Sequence, residues 1–172
     1  GTTNYVHGLP GWCVSIGVVQ DEEIIVGCVY DPLQDLCFTA EKGAGAHCNG
    51  QPIKVSETES LSNSLIAVSF PVQVNKDSPE IHQFLQMLPK IRAFRRLGSA
   101  ALNLCHVAAG QLDGYWTSQL HPWDVAAGAL LVEEAGGICS RLDGDRYGVF
   151  ADRAVVAATR NIHTSLLAAF SH

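Results

Sequence analysis

The hydrophobic period of this chain changes near Ser56, and that change limits what it can fold into. From Cys13 to Val55 the pattern has the two-residue period of strands. Val14-Ser15-Ile16-Gly17-Val18-Val19 alternates, Gln20-Asp21-Glu22-Glu23 supplies a polar turn, and Ile24 to Tyr30 returns as a second strand. Asp31-Pro32 breaks the run, and Leu36-Cys37-Phe38-Thr39-Ala40 begins a third. β-branched and aromatic residues with turns at this spacing predict an antiparallel meander, and Gly43, Gly45 and Asn49-Gly50 add tight turns.

Beyond Ser56, strands alternate with helices. Ser64 to Phe70 reads as a buried strand stopped by Pro71. Ser78-Pro79-Glu80 opens a helix with Ser as cap and Pro in the first turn, and Ile81, Phe84, Leu85 and Leu88 form its apolar face. Ala93 to Leu97 is a short strand, and Ser99 caps a small-residue helix that runs to about Ala109 before Gly110 stops it. Tyr115-Trp116 is a strand, and Pro122 to Ala135 is a long helix closed by Gly136-Gly137. Strands at Ile138 to Arg141 and Ala154 to Ala158 precede a last helix from Asn161. The order predicts a mixed α/β (α+β) chain with one antiparallel and one mixed sheet. The expected organisation is one domain, 1–172, with a meander portion at 1–56 and an α/β portion at 57–172.

Composition narrows the function. A 47% hydrophobic and 16% charged chain can bury a substantial core. The net charge of −6, with 11 Lys and Arg dispersed except for Arg92, Arg95 and Arg96, leaves no basic stripe for a nucleic acid. No apolar run approaches the roughly 18–20 residues of a membrane span. No charged-then-apolar leader or initiator methionine opens the chain. The six cysteines form no C-x-x-C pair and mostly sit in apolar stretches, which predicts reduced, buried thiols in a reducing, cytoplasmic setting. No G-x-S-x-G elbow is present, against a Ser/His/Asp hydrolase.

Three stretches carry candidate chemistry. Gly1-Thr2-Thr3-Asn4 has the makings of a phosphate loop: Gly lets backbone amides approach an oxyanion, and Thr and Asn bring hydroxyl and amide donors. The same tetrapeptide also suits an ordinary turn. Gly98 permits close approach, and Ser99 starts a helix whose first amides can donate, or simply caps it. Asp124 falls in the first turn of the long helix, where the dipole favours an acid by about 0.3–1 kcal/mol.

Together, Gly1-Thr2-Thr3-Asn4-Tyr5 with Val6-His7-Gly8-Leu9-Pro10, Leu97-Gly98-Ser99-Ala100-Ala101, and Pro122-Trp123-Asp124-Val125-Ala126-Ala127-Gly128 with Glu134-Ala135-Gly136-Gly137 resemble the signatures of the inositol monophosphatase family. Those proteins are Mg²⁺-dependent phosphomonoesterases. The resemblance implies a layered α-β-α-β-α sandwich. It implies that Gly1 and Thr2 hold phosphate and that the Thr2 hydroxyl orients the attacking water. Gly98, Ser99 and Ala100 would border the alcohol part of the substrate, and Asp124 would be a Mg²⁺ ligand. The implied chemistry uses one ion to lower the pKa of a water and a second to clamp the leaving oxygen. His7, Glu133 and Glu134 are expected to be structural or solvated.

Thr117 departs from the pattern, since the family typically has Glu after the aromatic pair. The expectation is weaker selectivity for inositol monophosphate among small polyol and sugar phosphates. The resemblance also implies a homodimer. The family writes Asp-Pro-Ile/Leu-Asp before the Gly that matches Gly1 and has helices and a Glu-Glu element further upstream. By that comparison the chain lacks the N-terminal helices of the sandwich, exposes apolar sheet surface, and is inactive or nearly so as written. Two alternatives stay open: a histidinol, sugar or nucleotide phosphate phosphatase of the same superfamily, and a non-catalytic domain that keeps the fold. All readings that use the site expect the amino-terminal tip and Asp124 to border one cavity.

Overall fold

A computed structural model describes residues 1–170. The meander holds β1 (Val14–Gln20), β2 (Glu23–Asp31), β3 (Leu36–Glu41), β4 (Gly45–Cys48) and β5 (Gln51–Pro52), preceded by the one-turn helix α1 (Thr2–Val6). These strands pair antiparallel in sequence order. The second half contains β6 (Leu65–Ser69), α2 (Pro79–Met87), β7 (Ala93–Arg95), α3 (Ala100–Ala108), β8 (Gly114–Thr117), α4 (Pro122–Glu134), β9 (Ile138–Ser140), β10 (Val155–Ala158) and α5 (Arg160–Ala168). Its sheet has the order β7-β6-β8-β10-β9, parallel across β6, β7 and β8 and antiparallel through β10. The expected pair of an antiparallel and a mixed sheet is therefore present.

The layers follow from which faces are apolar. α3 and α4 lie between the sheets: α4 packs on β1 to β4 and on β9 and β10, and α3 packs on β2, β8 and β10. A helix covered on both sides must be apolar all round, and Val125 to Val132 of α4 are all buried. Its small residues allow close approach. A Cβ on Gly27 would come within 2.7 Å of the Ala127 carbonyl oxygen, and one on Gly128 within 2.6 Å of Leu104. On the far face of the second sheet, Ile66, Val68, Trp116 and Val156 meet Met87 of α2 and Ile162 and Leu166 of α5. The observed stack is sheet, helix pair, sheet, helix pair, the last four layers of the expected sandwich. No helix among the described residues is long and apolar enough to cross a membrane.

Two local expectations change. Gly1-Thr2-Thr3-Asn4 is the start of a helical turn rather than a loop, closed by the Tyr5 N–H donating to the Gly1 carbonyl at 3.0 Å. Ser78 occupies the N-cap of α2 without capping it, because its hydroxyl accepts the Asn75 N–H at 2.9 Å instead.

Candidate active site

The amino-terminal tip is exposed but tightly seated. Gly1 lies against Gly11 and Trp12, with room for a Cβ denied by the Gly11 carbonyl oxygen at 2.6 Å. Tyr5 packs edge-on to Trp12, ring centroids 4.9 Å apart. Gly1 and Thr2 line a small hollow of about 190 Å³ with Tyr5, Trp12 and Cys13. Asn4 does not face this hollow as a donor. Its Nδ2 donates to the Gly11 carbonyl at 3.0 Å and to the Leu97 carbonyl at 2.8 Å, so the carboxamide is committed to backbone. His7 is the exposed C-cap of α1.

The Leu97-Gly98-Ser99 turn comes up beside this tip. Gly98 is exposed with φ +86°, a left-handed conformation that suits Gly. Ser99 is the N-cap of α3, its Oγ accepting the Leu102 N–H at 3.4 Å. The Cys13 thiol lies 3.6 Å from the same oxygen, and burial raises the Cys13 pKa. Ser99 is itself buried, so its hydroxyl serves the helix. Gly98 and the leading amides of α3, from Ala100 on, are what this turn offers a ligand.

Thr117 ends β8, where it pairs with Ser69 of β6 and Val155 of β10. It is 1% exposed, so its hydroxyl is not presented to solvent. Strand alternation puts Thr117 and Tyr115 on the face toward α3 and α4. The buried Tyr115 hydroxyl donates to Ser69 Oγ at 3.0 Å, and burial pushes its pKa up to about 12. The buried Asn103 carboxamide sits near enough to oppose that rise but makes no hydrogen bond of ordinary geometry among the described residues.

Asp124 leads α4 and is half-buried. Its Oδ2 accepts the His121 N–H at 3.1 Å, reaching back over the helix start as a capping carboxylate does. His121 stacks on the exposed Trp123 at 4.5 Å. At the other end of the helix, Glu134 accepts the Gly43 and Gly45 N–H groups, both at 2.8 Å, and so is structural as expected.

The site is only partly assembled by these contacts. Asn4 and Cys13 join the Gly1–Thr2 end to the Gly98–Ser99 turn. The hydrogen bond shown for the Asp124 side chain is the local one to the His121 N–H. Pro122 and Trp123 line a separate hollow of about 500 Å³ with Ser15, Gly17, Val149 and Phe150, and it shares no residue with the hollow at Gly1 and Thr2. Asp124 itself lines neither of these two hollows. Among the described residues, no three His, Cys, Asp or Glu side chains converge to hold a metal. Asp124 alone does not fit a Mg²⁺ ion, which takes a near-octahedral set of oxygens. The roles of Asn4 and Cys13 depend on contacts with Leu97 and Ser99, more than 80 residues away in sequence, and no local pattern signals them.

Two sheets sandwiching a helix pair, with a second helix pair outside, place the chain in a layered α/β class of fold. The sequence pattern of the inositol monophosphatase family matches residues 1–172, and the chain belongs to that family, whose members are phosphoric monoester hydrolases. It is 40% identical to phosphatase IMPL1, chloroplastic, of Arabidopsis thaliana, over 97% of this chain and 47% of that one. It is 44% identical to inositol monophosphatase 2 of Solanum lycopersicum, over 95% of this chain and 62% of that one. The solved inositol monophosphatase from Anabaena (Nostoc) sp. PCC 7120 superposes with a TM-score of 0.92 at 41% identity, over 98% of this chain and 67% of that structure. The chain therefore spans about half to two thirds of these relatives.

Proposed function

We propose that this chain carries the phosphate- and alcohol-binding part of a Mg²⁺-dependent phosphomonoesterase acting on inositol monophosphate or a related small polyol or sugar phosphate. The observation that carries the reading is the joining of the Gly1–Thr2 end to the Gly98–Ser99 turn across 93 residues of chain. Two small-residue segments with amides and hydroxyls at their tips are held side by side, as recognition of a phosphate and its attached alcohol requires. Gly1 and Thr2 take the phosphate oxygens, and the Thr2 hydroxyl orients the attacking water. Gly98 and Ala100 border the alcohol. Asp124 is one Mg²⁺ ligand among others, and the ion when bound supplies charge neutralisation at the phosphoryl group. Thr117 brings no carboxylate to the alcohol, so discrimination among polyols is weak. The reading extends to a homodimer in a reducing, cytoplasmic setting, supported by the exposed apolar row on β1 and the free thiols.

The test is inorganic phosphate release from inositol 1-phosphate, glycerol 2-phosphate, histidinol phosphate and a nucleoside monophosphate, with millimolar Mg²⁺ and after chelation. Release by the chain as given is expected to be slow at most, and a Mg²⁺-stimulated rate that falls to background in Asp124→Asn supports the proposal. The absence of both release and phosphoester binding would sink it. A second reading, a phosphoester-binding domain without turnover, is favoured by the lack of a three-ligand metal cluster among the described residues. Saturable binding with no Mg²⁺-dependent release would select it.

A further inference from the structure

We propose that Asn4 is a positioning residue, whose carboxamide locks the Gly1–Thr2 end and the Gly98–Ser99 turn in one register. The inference rests on the function proposed above. Asn4 carries two amide hydrogens, and both are used: one on the Gly11 carbonyl at 3.0 Å, one on the Leu97 carbonyl at 2.8 Å. Leu97 is one peptide from Gly98 and two residues before the cap of α3. Asn4 itself is in the first turn of the helix that Gly1 starts. A single planar group therefore spans the two ends of the candidate site.

The pocket that receives this group is shaped for it. Gly11 and Gly98 both have left-handed backbones, with φ +87° and +86°. A Cβ on Gly98 would lie 2.7 Å from Nδ2 and 2.8 Å from Oδ1 of Asn4, and one on Gly11 would lie 3.0 Å from Nδ2. Neither position takes a side chain while Asn4 is in place. Cys13 Sγ, 3.6 Å from Ser99 Oγ, is a second and weaker brace between the same segments. Because both N–H groups point inward to carbonyls, Asn4 offers a ligand no donor and acts through the segments it holds.

Asn4→Asp keeps the shape, removes both donors and sets a carboxylate oxygen against two carbonyl oxygens. Amide hydrogen exchange of the intact chain is expected to rise about tenfold or more over residues 97–102 and stay unchanged in α4 and β8 to β10, as loss of two local hydrogen bonds predicts. In phosphate release from inositol 1-phosphate with Mg²⁺, KM is expected to rise about tenfold while kcat stays within about threefold. If Asn4→Asp does not fold, Asn4→Ser, which keeps one donor, is read the same way with intermediate changes. Unchanged exchange at 97–102, or a rise spread evenly over α4 and the second sheet, overturns the proposal, as does a fall in kcat alone. Localised exchange in a chain whose wild type neither binds nor hydrolyses phosphoesters would sink the functional reading and the positioning role with it. Normal turnover without localised exchange sinks the positioning role alone.

Discussion

The two sheets of this molecule are buried to different degrees. Every residue of β10, Val155 to Ala158, is buried, because α3 and α4 cover one face of that sheet and α2 and α5 the other. The meander has helices on one face only, and Val14, Ile16 and Val18 of β1 are 52%, 56% and 45% exposed. β1 also inverts the usual rule for a half-covered strand. Val14, Ile16 and Val18 face outward, while Ser15 and Gly17 turn toward α4. A Cβ on Gly17 would lie 2.8 Å from Ala126 Cβ, so the helix comes too close for anything bulky. Alternation therefore identifies two faces, and the size of the residues on each says which one is packed.

That contrast can be broken by mutation, with the largest effects between the sheets. Leu104→Ala, at a fully buried position on α3 against Gly128, is expected to cost about 3–4 kcal/mol in chemical denaturation, the usual range for a core leucine. Gly27→Ala should cost about 2 kcal/mol, since its methyl meets the Ala127 backbone rather than a side chain that can rotate away. A smaller effect separates the sheets by pH. His163 on α5 is buried beside Ser140, Nε2 2.8 Å from its Oγ, and desolvation lowers its pKa. The unfolded chain thus binds this proton more readily than the folded one. Its contribution is complete above the unfolded value of about 6.5 and is lost as pH falls through the lower folded value. Thermal melts from pH 7.5 to 5 should show declining stability, with a flatter profile in His163→Gln. The smallest change is expected on the open face of the meander, where Ile16→Thr should shift stability by no more than about 0.5 kcal/mol. A cost near that of Leu104→Ala would mean that face is packed in solution.

Much of the fold is legible in the sequence because turn and cap residues act locally. Gly110 and Gly136-Gly137 stop α3 and α4 within a residue or so of where the pattern places the ends. The Gly-Thr tip, the Gly98–Ser99 turn and Asp124 were identified from residue type and family pattern. Their surroundings were not, because those depend on contacts far apart in sequence. Asn4 looks like a ligand donor until Leu97 arrives to take its hydrogen. Ser99 reads as cap, contact or both, and the Leu102 N–H reaching its Oγ shows the cap. Thr117 follows two aromatics into the sheet, and only the pairing with β6 and β10 shows how little of it reaches solvent.

Glu134 grips the turn between β3 and β4 through two amides, and this bears on the opposite end of its helix. α4 has 13 residues, a rod about 20 Å long at 1.5 Å per residue. Pinned at one end and gripped along its length by both sheets, it is a stiff spacer that sets how far the Asp124 carboxylate stands from that hairpin.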